Sequence, residues 1–209
     1  MGTYEAIACV KIFFDFDGTL VDSTKRLYEL FQSIVPESHL TYNQYWEIRR
    51  NKIDHKKILL TEFSYTQSQY DFFVKEWMNK IELPEWLALD QPFKGVTEFL
   101  DQLSNRHTLY VVTARQFTDR VLQQIDHFGW ANFFEQIFVT NQQKEKFELL
   151  KDIVVDNNDW LIGDTGHDIQ TGKELGMKTA AVLSGFLGRE KLTEYKPDII
   201  IDKVQDFII

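Results

Sequence analysis

Two carboxylates placed two residues apart, Asp15 and Asp17, close a short apolar run rich in aromatic and β-branched residues, and Gly18 and Thr19 follow at once. Such a run reads as a buried strand. Strand side chains alternate, so the two acids share a face while the chain stays extended, and Gly18 lets it turn sharply afterwards. In open parallel α/β sheets ligands bind beyond the carboxyl ends of the strands, so acids at that place are chemical rather than structural. Two further strand ends carry polar groups: Thr113, which closes residues 108–112, and Asp164, just after residues 160–163. A parallel sheet brings all three ends to one edge despite their separation in sequence. Carboxylates from two strands suit a hard cation, and Mg²⁺ fits a site that also holds phosphate oxygens and keeps several waters.

The elements that must position these groups follow from periodicity. Leu27, Leu30, Phe31 and Ile34 recur at helical spacing behind Asp22 or Ser23 as cap, and Pro36 stops that helix. Thr41 with Gln44, and Thr66 with Gln69, are capping-box pairs that open two more helices, and a weaker one begins near Asp54. The stripe Tyr70, Phe73, Val74, Trp77 and Ile81 gives the helix after Thr66 one apolar face. Residues 22–91 therefore read as an all-helical unit whose aromatics pack a core. After Pro92, helices alternate with strands at 108–112, 137–140, 160–162, 179–183 and 198–201, and Gly176 ends a helix. The fold expected is α/β: a Rossmann-like parallel sheet with helices on both faces, built from residues 1–21 and 92–209, with the helical unit inserted as residues 22–91.

The chain has 209 residues, 44% hydrophobic and 26% charged, enough for one substantial core and a smaller second domain. Its formal charge of -9 argues against nucleic acid as a partner, which needs clustered Lys and Arg. An acidic chain that handles anions must reverse the sign locally. No window approaches the ~18 apolar residues of a membrane span. Met1-Gly2 lacks the Ser or Thr that myristoylation wants at position 6, where Ala6 stands, and no signal core follows. Cys9, the single cysteine, is expected inside the first strand as a small buried hydrophobe, in keeping with a reducing cytoplasm.

The segment Asp15-Phe16-Asp17-Gly18-Thr19 resembles motif I, Asp-x-Asp-Gly-Thr, of the haloacid dehalogenase-like superfamily. Val111-Val112-Thr113-Ala114-Arg115 resembles motif II, and Gly163-Asp164-Thr165-Gly166-His167-Asp168 resembles motif IV, Gly-Asp-x-x-x-Asp. Their joint occurrence in this order, each after an expected strand, carries more weight than any one alone. Residues 176–182 and 197–202 are similar to the branch that holds phosphoglycolate phosphatase and β-phosphoglucomutase. The resemblance implies that Asp15 is a nucleophile taking a phosphoryl group, with Asp17 as general acid and base. It implies that Asp15, Asp164 and the backbone carbonyl of Asp17 bind Mg²⁺, that Thr113 holds the phosphoryl group, and that Gly18, Thr19, Ala114 and Arg115 line the substrate. Haloacid dehalogenases proper lack an acid at position 17, so Asp17 favours phosphate chemistry.

Motif III requires a lysine near a helix start. Lys144, Lys146 and Lys151 all qualify, and Lys146 is preferred because Leu149, Leu150 and Ile153 follow at +3, +4 and +7. Asp168 either helps to hold the metal, directly or through water, or caps the helix that follows. Thr165 belongs to the surroundings of the metal or to a turn, and His167 to the surface, since Mg²⁺ prefers oxygen. The inserted helices match the cap that many members carry after motif I. Within them Arg49, Arg50, Lys52, His55, Lys56 and Lys57 form a basic cluster, most simply a solvated face. The sharper expectation is that Arg49 or a neighbour faces the cleft and binds a substrate anion.

The expected function is a Mg²⁺-dependent phosphatase of a small phosphorylated metabolite, cytoplasmic, a monomer or weak homodimer, with no nucleic acid or membrane partner. The rivals are a phosphomutase similar to β-phosphoglucomutase and a non-catalytic phosphometabolite-binding or scaffold protein. The intact set Asp15, Asp17, Thr113 and Asp164 speaks against the last, because binding alone needs neither a nucleophile nor an acid.

Overall fold

The computed structural model describes residues 9–153 and 155–209. The reading of Met1, Gly2 and Ala6 lies outside them. Strand β1 (Lys11–Phe14) leads into β2 (Val21–Asp22), and β3 (Gln91–Pro92) pairs with β2 antiparallel, Val21 opposite Pro92 and Asp22 opposite Gln91. Between these two strands run five helices, α1 (Thr24–Ile34), α2 (Tyr42–Arg50), α3 (His55–Glu62), α4 (Gln67–Lys80) and α5 (Pro84–Leu87). Beyond β3 come α6 (Val96–Ser104), β4 (Thr108–Thr113), α7 (Thr118–His127), β5 (Phe134–Val139), α8 (Lys146–Leu150), β6 (Trp160–Gly163), α9 (Gly166–Glu174), β7 (Lys178–Val182), α10 (Arg189–Thr193) and β8 (Ile199–Ile201).

Six strands form one sheet in the order β5-β4-β1-β6-β7-β8, every pairing parallel. β1 sits inside this sheet, and Ile12, Phe13 and Phe14 have no exposed surface, as a parallel strand covered on both faces requires. Phe14 packs with Val111, Ile162, Val121 and Ile125 on one face, while Phe13 packs with Tyr110, Val112, Leu161 and Leu150 on the other.

Register decides where the polar strand ends meet. Phe14 lies opposite Val111 of β4 and Ile162 of β6, and Asp15 continues the ladder by donating its N–H to the Ile162 carbonyl at 2.8 Å. Thr113 and Asp164 are each two residues past Phe14's partners, so all three polar residues leave the sheet at one edge.

The helices between β2 and β3 bury Phe31, Tyr45, Trp46, Ile58, Leu59 and Phe73 in a cluster of their own. Both capping boxes form, with Thr41 and Thr66 each accepting from the backbone of the Gln three residues on. At α1 the cap differs: the Ser23 hydroxyl makes no capping bond, and Asp22 Oδ1 accepts from Thr24 N at 3.0 Å.

Three expectations need correction. Cys9 is exposed, because β1 begins only at Lys11 and leaves Cys9 before the covered part of the sheet. Val74 in α4 is 37% exposed, since the stripe that packs inward runs through Phe73 and Trp77. The helix after Lys146 ends at Leu150 and does not reach Ile153.

Candidate active site

At the carboxyl edge of the sheet the carboxylates of Asp15, Asp164 and Asp168 each offer an oxygen within 4.8 Å of the others. Asp15 is 6% exposed and the other two are fully buried. Asp15 stands at the end of β1 and Asp164 just past β6. Asp168 reaches the cluster from the first turn of α9, where Gly163 lets it approach, because a Cβ there would overlap its side chain. Gly18 and Gly185 do the same for Asp164, whose carboxylate occupies the space a Cβ at either position would fill. Gly18 also has φ +81°, a left-handed value that a side chain would strain.

Lys146 Nζ lies 2.6 Å from Asp15 Oδ1 and 2.6 Å from Asp168 Oδ1. Lys146 is thus the motif III candidate that the fold brings to the acids, while Lys144 and Lys151 are exposed. Asp168 caps α9, since its Oδ2 accepts from Thr165 N and Oγ1 to close the capping box, and its Oδ1 faces Lys146. His167 lies at the surface, 3.2 Å from Glu145.

Electrostatics mark the cluster as short of positive charge. Burial raises the Asp15 carboxyl to about 6 even though Lys146 pulls it down, and Asp168 adds to the rise. Asp164 is pushed well above its ordinary value, first by burial and then by Asp15 and Asp168. Lys146 stays charged because Asp15 and Asp168 outweigh the burial that opposes it. Asp164 Oδ2 accepts from Phe186 N at 2.6 Å, but Oδ1 is buried with no partner. A buried, orphaned carboxylate oxygen among like charges, with oxygen ligands converging, is what a hard cation would satisfy, so these residues fit Mg²⁺.

Asp17 faces a different set. Arg115 Nε and Nη2 grip its carboxylate in a fork, the latter at 2.7 Å from Oδ1, and Arg26 Nη2 reaches the same oxygen at 2.6 Å. Both arginines also pair with buried Asp90, through Arg26 Nε at 2.8 Å and Arg115 Nη2 at 3.0 Å. Burial alone would raise Asp17, but Arg115 and then Arg26 hold it far below the usual carboxylate range. Arg26 and Asp90 escaped the sequence reading. An arginine at 2% exposure in the first helix after motif I has no local signal, since its partners are remote in the chain. Glu82 escaped too: its buried carboxylate accepts from Gln116 N at 2.6 Å and Phe117 N at 3.3 Å.

A cavity of about 530 Å³ opens over this edge. Asp15, Asp17, Thr113, Ala114, Arg115 and Lys146 line it. Gly18 and Thr19 do not; Thr19 is fully buried, and Gly18 shapes the turn against Asp164. Arg49 corrects an expectation. It is absent from the lining, and its guanidinium turns to the Ile53 carbonyl at 2.9 Å, in the turn between α2 and α3, instead of serving the cleft. His55 of the same basic cluster is packed among Phe31, Phe73 and Trp77 rather than solvated.

The family model for haloacid dehalogenase-like hydrolases matches residues 12–182. The chain belongs to that family. A pyrophosphatase PpaX from Oceanobacillus iheyensis is 25% identical over 218 residues, covering 94% of each chain. Among solved structures, a haloacid dehalogenase-like hydrolase from Streptococcus pneumoniae superposes with a TM-score of 0.75 at 24% identity, over 95% of this chain and 96% of the other. YfnB of Bacillus subtilis, a HAD-hydrolase described as bound to magnesium, superposes with a TM-score of 0.62 at 18% identity, over 96% and 97%. In this haloacid dehalogenase-like hydrolase Asp15 and Asp164 stand at neighbouring strand ends, with Asp168 beside them. Among its described residues no helix is long and apolar enough to cross a membrane.

Proposed function

We propose that this hydrolase is a Mg²⁺-dependent phosphatase of a small phosphorylated metabolite, working through an aspartyl phosphate on Asp15. The observation that carries the reading is the position of Asp15: at the floor of the cavity, 2.6 Å from Lys146, beside an orphaned oxygen of Asp164. The magnesium described for the Bacillus subtilis relative supports the choice of ion. Asp15 and Asp164, with Asp168 beside them and the Asp17 backbone carbonyl, would hold Mg²⁺, which when bound offsets the repulsion between a carboxylate and an anionic ester.

Asp15 forms a bond to phosphorus as the bond to the leaving oxygen breaks, and Asp17 gives that oxygen its proton. Water then attacks phosphorus, the bond to Asp15 breaks, and Asp17 takes the water's proton, so ester plus water gives alcohol plus phosphate. Thr113, at 1% exposure on the end of β4, is placed to hold the phosphoryl oxygens, and Lys146 offsets their charge. Asp17 as it stands is ionised and gripped by two arginines, which makes it a weak base and leaves it no proton to give. To act as an acid it must first loosen from them.

Residues 22–91 serve as a cap over a core of residues 1–21 and 92–209; the β2–β3 pair, where the chain crosses twice, supports that division. Phosphate release with Mg²⁺ over sugar phosphates, phosphoglycolate and nucleotides tests the reading. Asp15→Asn should lower turnover by more than the roughly 10² to 10³ that one electrostatic donor supplies, with the fold intact by circular dichroism. Turnover near that of the parent would overturn covalent catalysis.

A further inference from the structure

Besides the acids and Lys146 the cavity has an apolar lining: Leu27 of α1, Trp77 and Met78 of α4, Ile81, and Phe186 from the loop after β7. All five are half-buried. Phe186 is held flat against Trp46 of α2, ring centroids 5.6 Å apart and planes at 12°, and Trp77 is braced by His55 and Phe73. A rigid apolar wall that stays partly open within an otherwise polar cavity lacks the surface that would cover it.

The guanidinium and amide groups nearest this wall each already hold partners within the protein. Arg26 spends Nε on Asp90, Nη1 on the Ile81 carbonyl and Nη2 on Asp17. Arg115 spends Nε and Nη2 on Asp17 and Asp90, while its Nη1 is buried without a partner and its guanidinium stands over the Phe16 ring. Gln116 and Gln142 give their Nε2 to the carbonyls of Met78 and Ala114, which leaves their amide oxygens as acceptors. Lys144 lines the rim, but Glu145 and Glu148 line it too. A second phosphate group would find at this end two arginines whose charge is already paired with Asp17 and Asp90, one spare but buried donor in Arg115 Nη1, and a lysine set beside two glutamates.

We propose that the leaving group of the substrate presents an apolar, ring-bearing face to this wall, so that the site selects phosphomonoesters of that class over inorganic pyrophosphate and over fully hydrophilic esters. The proposal rests on the phosphatase reading and names its substrate class. Trp77 and Met78 are then specificity-determining residues: they touch the leaving group and leave the reacting atoms to Asp15.

The test compares kcat/KM, with Mg²⁺, for 2-phenylethyl phosphate, glycerol 3-phosphate and pyrophosphate. The first two are both alkyl monoesters, so their difference reports the wall more than the chemistry. The expected result is a preference of roughly tenfold or more for the phenylethyl ester over each of the others, the scale on which apolar pockets discriminate. Trp77→Ala should shrink its ratio to glycerol 3-phosphate toward one. Met78→Ser makes the same test where loss of the indole, which braces the helices, unfolds the protein. Pyrophosphate or glycerol 3-phosphate as the better substrate, or a ratio unchanged in both variants, overturns the proposal while the phosphatase reading stands. Absence of phosphate release from all three and from the wider metabolite panel removes the phosphatase reading and this inference with it.

Discussion

Arg26, in α1, places Nη2 2.6 Å from Oδ1 of Asp17, in the loop after β1. With Nε on Asp90 and Nη1 on the Ile81 carbonyl, one guanidinium joins the loop after β1 to the chain that runs from α4 into β3. Removing it leaves the Asp17 and Asp90 carboxylates with Arg115 as their one cation and Gln124 Nε2 donating to Asp90. Arg26→Met is expected to cost about 3–5 kcal/mol in a denaturant titration, the range for breaking a buried pair. Arg26→Lys should recover only part of that, because an ammonium cannot span three acceptors set for a planar fork. A loss below about 1 kcal/mol for Arg26→Met would show that Arg115 holds both acids without it.

Asp164 predicts opposite effects with and without metal. Its raised carboxyl means that the ionised form opposes folding at neutral pH, where burial and the charges of Asp15 and Asp168 act against it. Asp164→Asn keeps an oxygen for Phe186 N and removes one like charge. In chelator the variant should therefore melt no lower than the parent. Mg²⁺ at a hundred times its Kd should stabilise the parent by about 2.7 kcal/mol and the variant far less. Equal stabilisation of both by Mg²⁺ would place the ion elsewhere.

Gly185 tests how closely the backbone must approach that acid. A Cβ at this position would overlap the Asp164 carboxylate, which is fully buried and has no room to retreat. Gly185→Ala is expected to destabilise the protein by about 1–3 kcal/mol, the usual cost of overpacking, and to weaken the Mg²⁺-induced rise in melting temperature. Gly176→Ala, where nothing lies near the missing Cβ, is the control for backbone strain alone.

What could be read from the chain divides along physical lines. Asp15, Thr113 and Asp164 were legible because each ends an apolar run, and parallel strands carry such ends to one edge whatever lies between them. Lys146 was legible by helical phase, since it stands at the first turn with Leu150 buried behind it. Arg26, Asp90 and Glu82 were not, because a buried charge is defined by partners far away in sequence and looks locally like any surface residue. Arg49 misled for the same reason: a cluster of basic residues says nothing about which one bonds the turn that follows its own helix. His55 sits within that cluster, yet its surroundings are aromatic and come from three other helices.

His55 gives the prediction that ties this packing to pH. Its ring lies against Phe31, Phe73 and Trp77, its Nε2 is 2.8 Å from the Tyr45 hydroxyl, and the Arg49 charge is near. Burial first, and Arg49 second, hold the imidazole well below its ordinary 6.5, so it folds neutral. The unfolded chain binds the proton more readily, and the stability His55 supplies is complete above pH 6.5 and lost as pH falls below it. His55→Gln removes this dependence, so the gap between parent and variant should narrow from pH 7.5 to 5.5 in urea titrations. Parallel curves over that range would mean that the imidazole stays accessible to protons in the folded protein.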